Sequence, residues 1–365
     1  MDRGFVTFLI CVLLLSLIAS SAVLIYFEFN NGLKIHNASA LNLIDQRMQT
    51  AFWEINSFPT GASDNLLFLS NLSSFKEVLN SSPYSSEQID KLNDDFLTSL
   101  EQSRAYYQIR YIDEFGDEVI KVNFDGEEYK KVEPENLQSV SDRHYFEKTM
   151  ELNEKEVYVS SLDLNIENNQ IENRGTRGNP EYVPVMKYAT PVFKNGERKG
   201  VAASHVYADY FLEGIRRFQR EGENTFLINS EGFYLAHPDR TQEFAFMFED
   251  RDYNFANDYP EAAEQILEGC QERRLELNEH IFSYRCIYPR TSSFEIYEGA
   301  KKVFGQDAEK SYYWILVTVT DKQGFEKTFT DFQSNFLWFF GVLGVIALVI
   351  IVLVYLLGFK IERQE

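Results

Sequence analysis

An arginine stands next to two aromatic residues near the middle of the chain, in the segment Asp-Arg-His-Tyr-Phe. The arginine is Arg143, and the aromatic residues are Tyr145 and Phe146. A guanidinium group can donate two parallel hydrogen bonds to a carboxylate, and aromatic walls lower the local dielectric and strengthen such a bond. These residues therefore predict a ligand site that holds an anionic group. The alternative is a surface ion pair of Arg143 with Asp142 or Glu147.

Three strands are expected to carry the opposite wall of this site. The segments EVYVSSLDL, VPVMKYATPVF and GVAASHVYA have the period-two pattern of strands. The pair Asn195-Gly196 predicts a hairpin between the second and the third. The residues on these strands that we expect to face the ligand are Tyr158, Tyr188 and His205. A shift of one residue would turn any of them to the other face of the sheet.

No motif of an enzyme active site occurs in the sequence. It has no glycine-rich phosphate loop, no Gly-x-Ser-x-Gly and no His-Glu-x-x-His, and its 5 histidines are scattered. We therefore expect no catalysis, no cofactor and no metal, and an extracellular enzyme is the least favoured interpretation. The formal net charge of -21 argues against nucleic acid or an anionic membrane surface as a partner, because both require a basic stripe.

Two cysteines lie in the second half of the chain and one lies near its start. Cys270 and Cys286 form an even pair, which suits a disulfide in an oxidising compartment. Two free buried thiols are the alternative. Cys11 lies in an apolar run, where a cysteine acts as a small apolar side chain.

Two uncharged apolar runs, Gly4–Phe27 and Phe332–Phe359, bracket the rest of the chain. Each is long enough to cross a bilayer as a helix, so we expect two transmembrane spans. Ser20 and Ala22 leave cleavage of a signal peptide as an alternative for the first span. We expect the large charged region between the runs to lie outside the cell, with both termini in the cytoplasm.

The region between the two apolar runs begins with helical patterns and continues with strands. A stripe of apolar residues at helical spacing predicts a long helix, which packs on its own domain and also meets a second copy in a homodimer. Pro59 and Gly61 are expected to end this helix, and two shorter helices follow, the second of which starts at Ser85 or Ser86. The segments YYQIRYIDEFGDEVIKVNF and ENTFLINSEGFYLAHPD are two strand-turn-strand units that indicate internal duplication. A polar insert between Glu172 and Pro180 predicts a surface hairpin loop or flap.

The segments RHYF, EVYVSSLDLNIE, YATPVF and KGVAASHVY resemble the distal half of a double Cache domain, the extracytoplasmic sensing region of many bacterial and archaeal receptors. The resemblance implies an α+β fold, in which a long N-terminal helix is followed by two PAS-like antiparallel-sheet modules. In the amino-acid-binding branch of that family, an arginine at the position of Arg143 holds the ligand carboxylate. Gln138 and His205 stand where that branch has a tyrosine and an ammonium-binding aspartate. The resemblance therefore implies a site that binds a ligand carboxylate through Arg143, but it does not imply a site for an ammonium group.

We expect six regions along the chain. They are a transmembrane helix at 4–27, a stalk helix and helical region at 28–104, a membrane-distal Cache module at 105–212, a membrane-proximal Cache module at 213–330, a transmembrane helix at 332–359 and a cytoplasmic tail at 360–365. The resulting hypothesis is a membrane-anchored sensor that binds a small molecule in the distal module. Since the tail is short, the signal is expected to pass to a cytoplasmic or membrane partner. The alternative is a non-signalling accessory subunit or a ligand-binding surface module of a membrane complex.

Overall fold

The computed structural model describes most of the chain up to residue 322. The described residues are 3–81, 83–103, 105–167, 170–176, 178–220, 222–268, 273–289 and 313–322, with single residues and short runs between 338 and 356. The chain divides into two compact units. The larger unit comprises residues 48–277 and 282–319, and the smaller comprises residues 1–47, 278–281 and 320–365.

Helix α1 runs without interruption over Arg3–Ser70. The prediction that Pro59 and Gly61 end this helix is therefore wrong. Proline removes one helical hydrogen bond and glycine adds backbone entropy, but tertiary packing can outweigh both costs. Ile55 before this point and Leu66 after it are almost completely buried, so packing holds the helix on both sides.

The predicted membrane spans are not confirmed by the structure. No helix within the described ranges combines the length and the apolar character needed to cross a membrane. The second predicted span, 332–359, lies partly outside the described residues. Both spans remain predictions.

Two shorter helices follow α1, namely α2 (Ser73–Asn80) and α3 (Ser86–Gln102). The start of α3 is a capping box, in which Ser85 Oγ accepts a hydrogen bond from the backbone N–H of Gln88 at 3.2 Å. The side chain of Gln88 accepts one in return from the backbone N–H of Ser85 at 3.4 Å. This confirms the predicted helix start.

The described residues of the next part of the chain form eight strands, one α-helix and a short 3-10 helix (Pro134–Asn136). The strands are β1 (Tyr106–Asp113), β2 (Glu118–Phe124), β3 (Tyr129–Lys131), β4 (Tyr158–Leu164), β5 (Ile166–Glu167), β6 (Gln170–Ile171), β7 (Pro184–Lys194) and β8 (Glu197–Tyr207). Helix α4 (His144–Glu151) lies between β3 and β4 in the chain. Six strands form the first sheet in the order β3-β2-β1-β8-β7-β4. Asn195 and Gly196, with φ of 52° and 82°, turn β7 into β8 and confirm the predicted hairpin.

One face of the first sheet packs against α4, and we call it the α4 face. Tyr145 and Phe146 of α4 share a buried cluster with Ala189 of β7 and Ala203 of β8. The opposite face packs against the helices that precede the sheet, where the ring centroid of Tyr111 lies 5.0 Å from that of Phe75 in α2. The two faces therefore have different helical covers.

The polar insert between Glu172 and Pro180 forms a hairpin, as predicted. Asn173 pairs with Tyr182, and Thr176 pairs with Asn179. The paired strands β5 and β6 precede this hairpin. They bring Glu167 near the α4 face, as described below.

A second sheet follows the first in the chain. Its elements are α5 (Asp209–Arg217), β9 (Glu223–Asn229), β10 (Tyr234–Ala236), α6 (Phe255–Asp258), α7 (Pro260–Leu267), β11 (Arg273–Leu277), β12 (His280–Ile287) and β13 (Trp314–Asp321). The sheet order is β10-β9-β13-β12-β11. Phe226, Phe255 and Ile266 belong to its buried core. Both predicted strand-turn-strand units are thus present, one in each antiparallel-sheet region.

Candidate functional site

A buried guanidinium group lies at the centre of the α4 face. Arg110 of β1 is only 4% exposed. Its Nη1 donates to Glu118 Oε1 at 2.6 Å, and its Nη2 donates to Gln108 Oε1 at 2.9 Å and to His205 Nε2 at 2.6 Å. A buried charge persists only when it is paired and hydrogen-bonded. These bonds fix the orientation of Arg110 and of all three partners.

The strand register explains why these side chains meet. Residues paired directly across an antiparallel sheet lie on the same face, and neighbours along a strand alternate. Gln108 pairs with His205, which pairs on its other side with Lys187. Arg110 pairs with Ala203 and with Lys121. Gln108, His205 and Lys187 therefore lie in one cross-strand row, and Lys121 and Arg110 lie in the next. Together the two rows form a polar band across the α4 face from β2 to β7.

His205 is a neutral hydrogen-bond acceptor at this position. A guanidinium group has no lone pair to offer, so Nε2 of His205 must accept the bond from Arg110. Burial lowers the pKa of His205 well below 6.5, and the nearby charges of Arg110, Lys187 and Lys121 lower it further. His205 therefore carries no positive charge at neutral pH.

Glu167 of β5 adds a carboxylate to the polar band on the α4 face. Its Oε1 accepts a hydrogen bond from Gln108 Nε2 at 2.8 Å, and its Oε2 accepts bonds from Lys121 Nζ at 3.2 Å and Gln138 Nε2 at 3.4 Å. Burial alone would raise the pKa of Glu167, but Lys121 and Arg110 outweigh this effect and lower the pKa to about 2. Glu167 is therefore ionised and already neutralises protein cations.

Lys187 is a cation without a carboxylate bond. Among the described residues, its Nζ makes no hydrogen bond or ion pair, and it lies 5.7 Å from the ring centroid of Tyr145. Burial lowers the pKa of Lys187 to about 8, with Arg110 and Arg143 acting in the same direction, while Asp163 and Glu167 act against it. The amine is thus available to a bound anion.

Tyr145 lies between these charged groups. It is 7% exposed, and its hydroxyl oxygen is buried with no hydrogen-bond partner in the described part of the chain. The Cζ atom of Arg110 lies 5.8 Å from the ring centroid, and the ring of His205 meets it edge-on at 6.2 Å. Arg110 Nε is also buried and lacks a partner. Two buried polar atoms without a partner, Tyr145 Oη and Arg110 Nε, therefore belong to neighbouring side chains.

The structure brings most of the predicted site residues together. Phe146 and Tyr158 are buried in the cluster of the α4 face, beside Tyr145. Arg143 is the residue that precedes α4, and its positive charge acts on both Tyr145 and Lys187. Its side chain is 29% exposed, and its Nε lies 3.8 Å from Asp142 Oδ1. Arg143 can therefore form the predicted surface ion pair with Asp142 and still contribute positive charge to the candidate site.

Tyr188 requires a correction, because it points to the opposite face of the sheet. It pairs with Ser204 and Val159 and so alternates with Lys187. Its side chain is completely buried, and its hydroxyl contacts Met186 Sδ at 3.9 Å. The residue of β7 that lies on the α4 face near Tyr145 is Lys187.

Most residues of the polar band on the α4 face were not predicted from the sequence. The missed residues are Gln108, Arg110, Glu118, Lys121, Glu167 and Lys187. One signal was present, since β1 alternates polar and apolar side chains from Gln108 to Tyr111. Such alternation is also typical of a strand with a solvated face, so the burial of these charges was not predictable from it.

Cys286 is buried and disulfide-bonded. Cys270, its predicted partner, lies outside the described residues. The pairing of these two cysteines therefore remains a prediction. No group of three or more His, Cys, Asp or Glu side chains is arranged to hold a metal ion in the ranges that the structure covers.

The chain is similar in structure to domains of known proteins. The extracellular domain of a protein described as a histidine kinase, vpHK1S-Z8, has 17% sequence identity and a TM-score of 0.62, over 78% of this chain and 92% of that one. A domain of a Vibrio parahaemolyticus sensory box/GGDEF family protein has 17% identity and a TM-score of 0.61, over 76% and 95%. The ligand-binding domain of the Pseudomonas aeruginosa PAO1 amino acid chemoreceptor PctC, in complex with GABA, has 14% identity and a TM-score of 0.46, over 76% and 98%.

At these identities the likenesses to the first two structures establish the fold alone, and this fold agrees with the resemblance to the sensing regions of double Cache receptors. No protein with a curated description matches the sequence significantly. The family model described as "Bacterial histidine kinase, sensor domain" matches residues 70–283, which is more than half of the chain. The chain therefore belongs to the family of bacterial histidine kinase sensor domains.

Proposed function

We propose that this chain is a membrane-anchored extracytoplasmic sensor that binds a small molecule with an anionic group on the α4 face of the first sheet. The observation that carries the proposal is the group of unsatisfied donors around Tyr145. Tyr145 Oη and Arg110 Nε are buried with no hydrogen-bond partner within the described residues, and Lys187 Nζ, on a partly buried side chain, has no acceptor there. Buried donors without acceptors are costly, and an anion relieves that cost.

The local charges support an anion. Arg110 is paired with Glu118, and Lys121 is paired with Glu167. Lys187, whose Nζ makes no ion pair with a carboxylate among the described residues, adds positive charge near Tyr145, and the charge of Arg143 also acts there. A ligand carboxylate would complete this set, and a charge-assisted hydrogen bond contributes about 1.5–3 kcal/mol.

The positions of these groups suggest how binding becomes a signal. Tyr145 and Arg143 belong to the start of α4, while Lys187 lies on β7. A ligand that contacts both would tie the helix to the sheet and stiffen the predicted distal module, 105–212. We propose that this change passes through the predicted proximal module, 213–330, and the two predicted spans to a signalling partner. No catalytic step is part of this proposal.

A thermal-shift screen of the purified full-length chain tests the binding proposal. Carboxylates, amino acids, amines and purines would be compared, and at least one anion should raise the melting temperature in a concentration-dependent way. The Lys187→Gln variant should lose most of that shift. Lys199→Gln is the matched control, because Lys199 pairs with Glu197 at the exposed end of β8. Equal shifts in the parent and in Lys187→Gln would refute the proposed site.

Protease accessibility tests the membrane placement. In intact cells, a protease added outside should cleave loops between residues 28 and 331 and leave tags at both termini intact. Protection of the whole region would contradict an extracytoplasmic location.

A further inference from the structure

Resting on the proposed function, we infer that this site selects organic anions that carry no ammonium group. An ammonium group needs acceptors, and a buried site supplies them best as carboxylates. Two carboxylates, the buried one of Glu118 and the partly buried one of Glu167, lie beside Arg110 and Lys121 in the described part of the chain. The bonds that these two groups already make decide what else the site can hold.

Glu118 is fully committed to the protein. Its side chain has no exposed surface, and its Oε1 accepts the bond from Arg110 at 2.6 Å with Lys121 Nζ at 3.7 Å. Its Oε2 accepts the backbone N–H of Gln138 at 3.0 Å. An ammonium group would have to displace one of these donors.

Glu167 is committed in the same way. Besides Gln108, Lys121 and Gln138, it receives a hydrogen bond from Asn165 Nδ2 at 3.3 Å. Four donors thus share its two oxygens. Its negative charge is neutralised by Lys121 and Arg110, so it does not attract a ligand cation.

The remaining groups of the site disfavour a second cation. His205 is neutral, and its Nε2 already accepts from Arg110. Asp163 on β4 accepts a hydrogen bond from Ser161 at 2.5 Å, and its charge acts on Lys187. A ligand ammonium would compete with Lys187 for Asp163. It would also be repelled by Lys187, Arg110 and Arg143.

The test compares organic acids with their α-amino counterparts on the full-length chain. The pairs are propionate and alanine, succinate and aspartate, and glutarate and glutamate, with Kd measured by isothermal titration calorimetry. In every pair in which either member binds, the acid without the amine should bind at least tenfold more tightly. Lys187→Gln should weaken the acid and narrow that ratio, because it removes one of the repelling cations, while Lys199→Gln should leave the ratio unchanged.

Each other outcome overturns a different statement. Equal or tighter binding of the amino acid, with a loss of affinity in Lys187→Gln, overturns the selectivity and leaves the proposed anion site intact. Binding that is unaffected by Lys187→Gln, or no binding by any of the six compounds, overturns the anion site together with its selectivity.

Discussion

His205 Nε2 lies 2.6 Å from Nη2 of Arg110, so a neutral imidazole accepts a hydrogen bond from a buried guanidinium. The same guanidinium bonds Glu118 and Gln108. Arg110 is therefore the centre of a polar network that is buried under α4, and its remaining donor, Nε, has no protein acceptor in the described ranges. The bonded members of such a network hold one side-chain arrangement, and in the proposed function this arrangement forms a preformed wall of the ligand site.

The neutral state of His205 makes the stability of the chain depend on pH. In the unfolded chain a histidine takes up a proton near its ordinary pKa of about 6.5, whereas the pKa of folded His205 is well below this value. Below about pH 6.5 the unfolded state thus binds more protons, so the free energy of unfolding falls as the pH falls. Urea unfolding at about pH 5 and pH 7 should show a smaller pH difference for His205→Gln than for the parent.

Part of this pH dependence should survive in the His205→Gln variant. Burial also lowers the pKa of His237, whose ring stacks on Phe226 at 5.1 Å. His237→Gln is therefore the matched variant with an effect in the same direction. An unchanged pH dependence in His205→Gln would show that His205 becomes protonated in the folded chain.

Local sequence patterns predicted much of the fold. The alternation in β1 and β2, the Asn195-Gly196 pair and the cap at Ser85 depend on a few neighbouring residues, and the structure confirms all of them. The continuity of α1 through Pro59 was not predictable in this way. It depends on packing of distant residues on both sides of the proline, which outweighs local propensity.

The candidate site was predictable in its position but less so in its chemistry. Tyr145 and His205 were placed correctly on one face. Tyr188 was not, because VPVMKYATPVF is apolar at nearly every position and its pattern does not show which face meets α4. Arg110 and Glu118 were missed, since a charged residue in a strand usually faces water. Only their mutual pairing in space makes their burial possible.

The buried ion pair of Arg110 and Glu118 predicts a large loss of stability in Glu118→Gln. The substitution preserves size but leaves a buried cation without its carboxylate, which costs about 3–5 kcal/mol. Glu77→Gln is the matched control, because Glu77 pairs with Lys91 across two helices in an exposed position, with side-chain exposures of 46% and 53%. Chemical denaturation should show a large decrease for Glu118→Gln and almost none for Glu77→Gln, and equal effects would contradict the buried network.

Gly200 and Gly61 predict opposite effects of the same substitution. Gly200 has φ of +129°, and an added Cβ would lie 2.0 Å from the carbonyl oxygen of Ile112 on the neighbouring strand. Gly200→Ala should therefore destabilise the first sheet by about 1–3 kcal/mol or more. Gly61 lies within α1 with no atom within 4 Å of an added Cβ, so Gly61→Ala should stabilise the chain by about 0.5–1 kcal/mol. Thermal unfolding of both variants tests this difference in sign.

The disulfide of Cys286 predicts a reductant-sensitive stability. If Cys270 is the partner, the closed loop should contribute about 3 kcal/mol through the unfolded chain. Peptide mapping without reduction should recover the two cysteines in one linked fragment, and Cys270→Ala should melt at the temperature of the reduced parent. Alkylation of both thiols in the folded chain would contradict this pairing.

Lys187 predicts that loss of ligand binding can accompany a gain in stability. Its pKa of about 8 in the folded chain, against 10.5 for an ordinary lysine, arises from burial and from Arg110. Between these two values the unfolded chain binds the additional proton, so the free energy of unfolding rises with pH through this window. Below about pH 8 the cost of holding a charged amine is present in full.

Lys187→Met removes that charge and keeps an unbranched side chain. Without ligand, its melting temperature at neutral pH should exceed that of the parent, and the difference should shrink as the pH approaches about 10. The same variant should lose the rise in melting temperature that an organic anion gives, because the anion's cationic partner is absent. Lys199→Met, at the exposed end of β8, should change neither quantity. A Lys187→Met variant that melts below the parent at neutral pH would mean that Lys187 stabilises the unliganded fold, and the proposal that its amine awaits an anion would then fail.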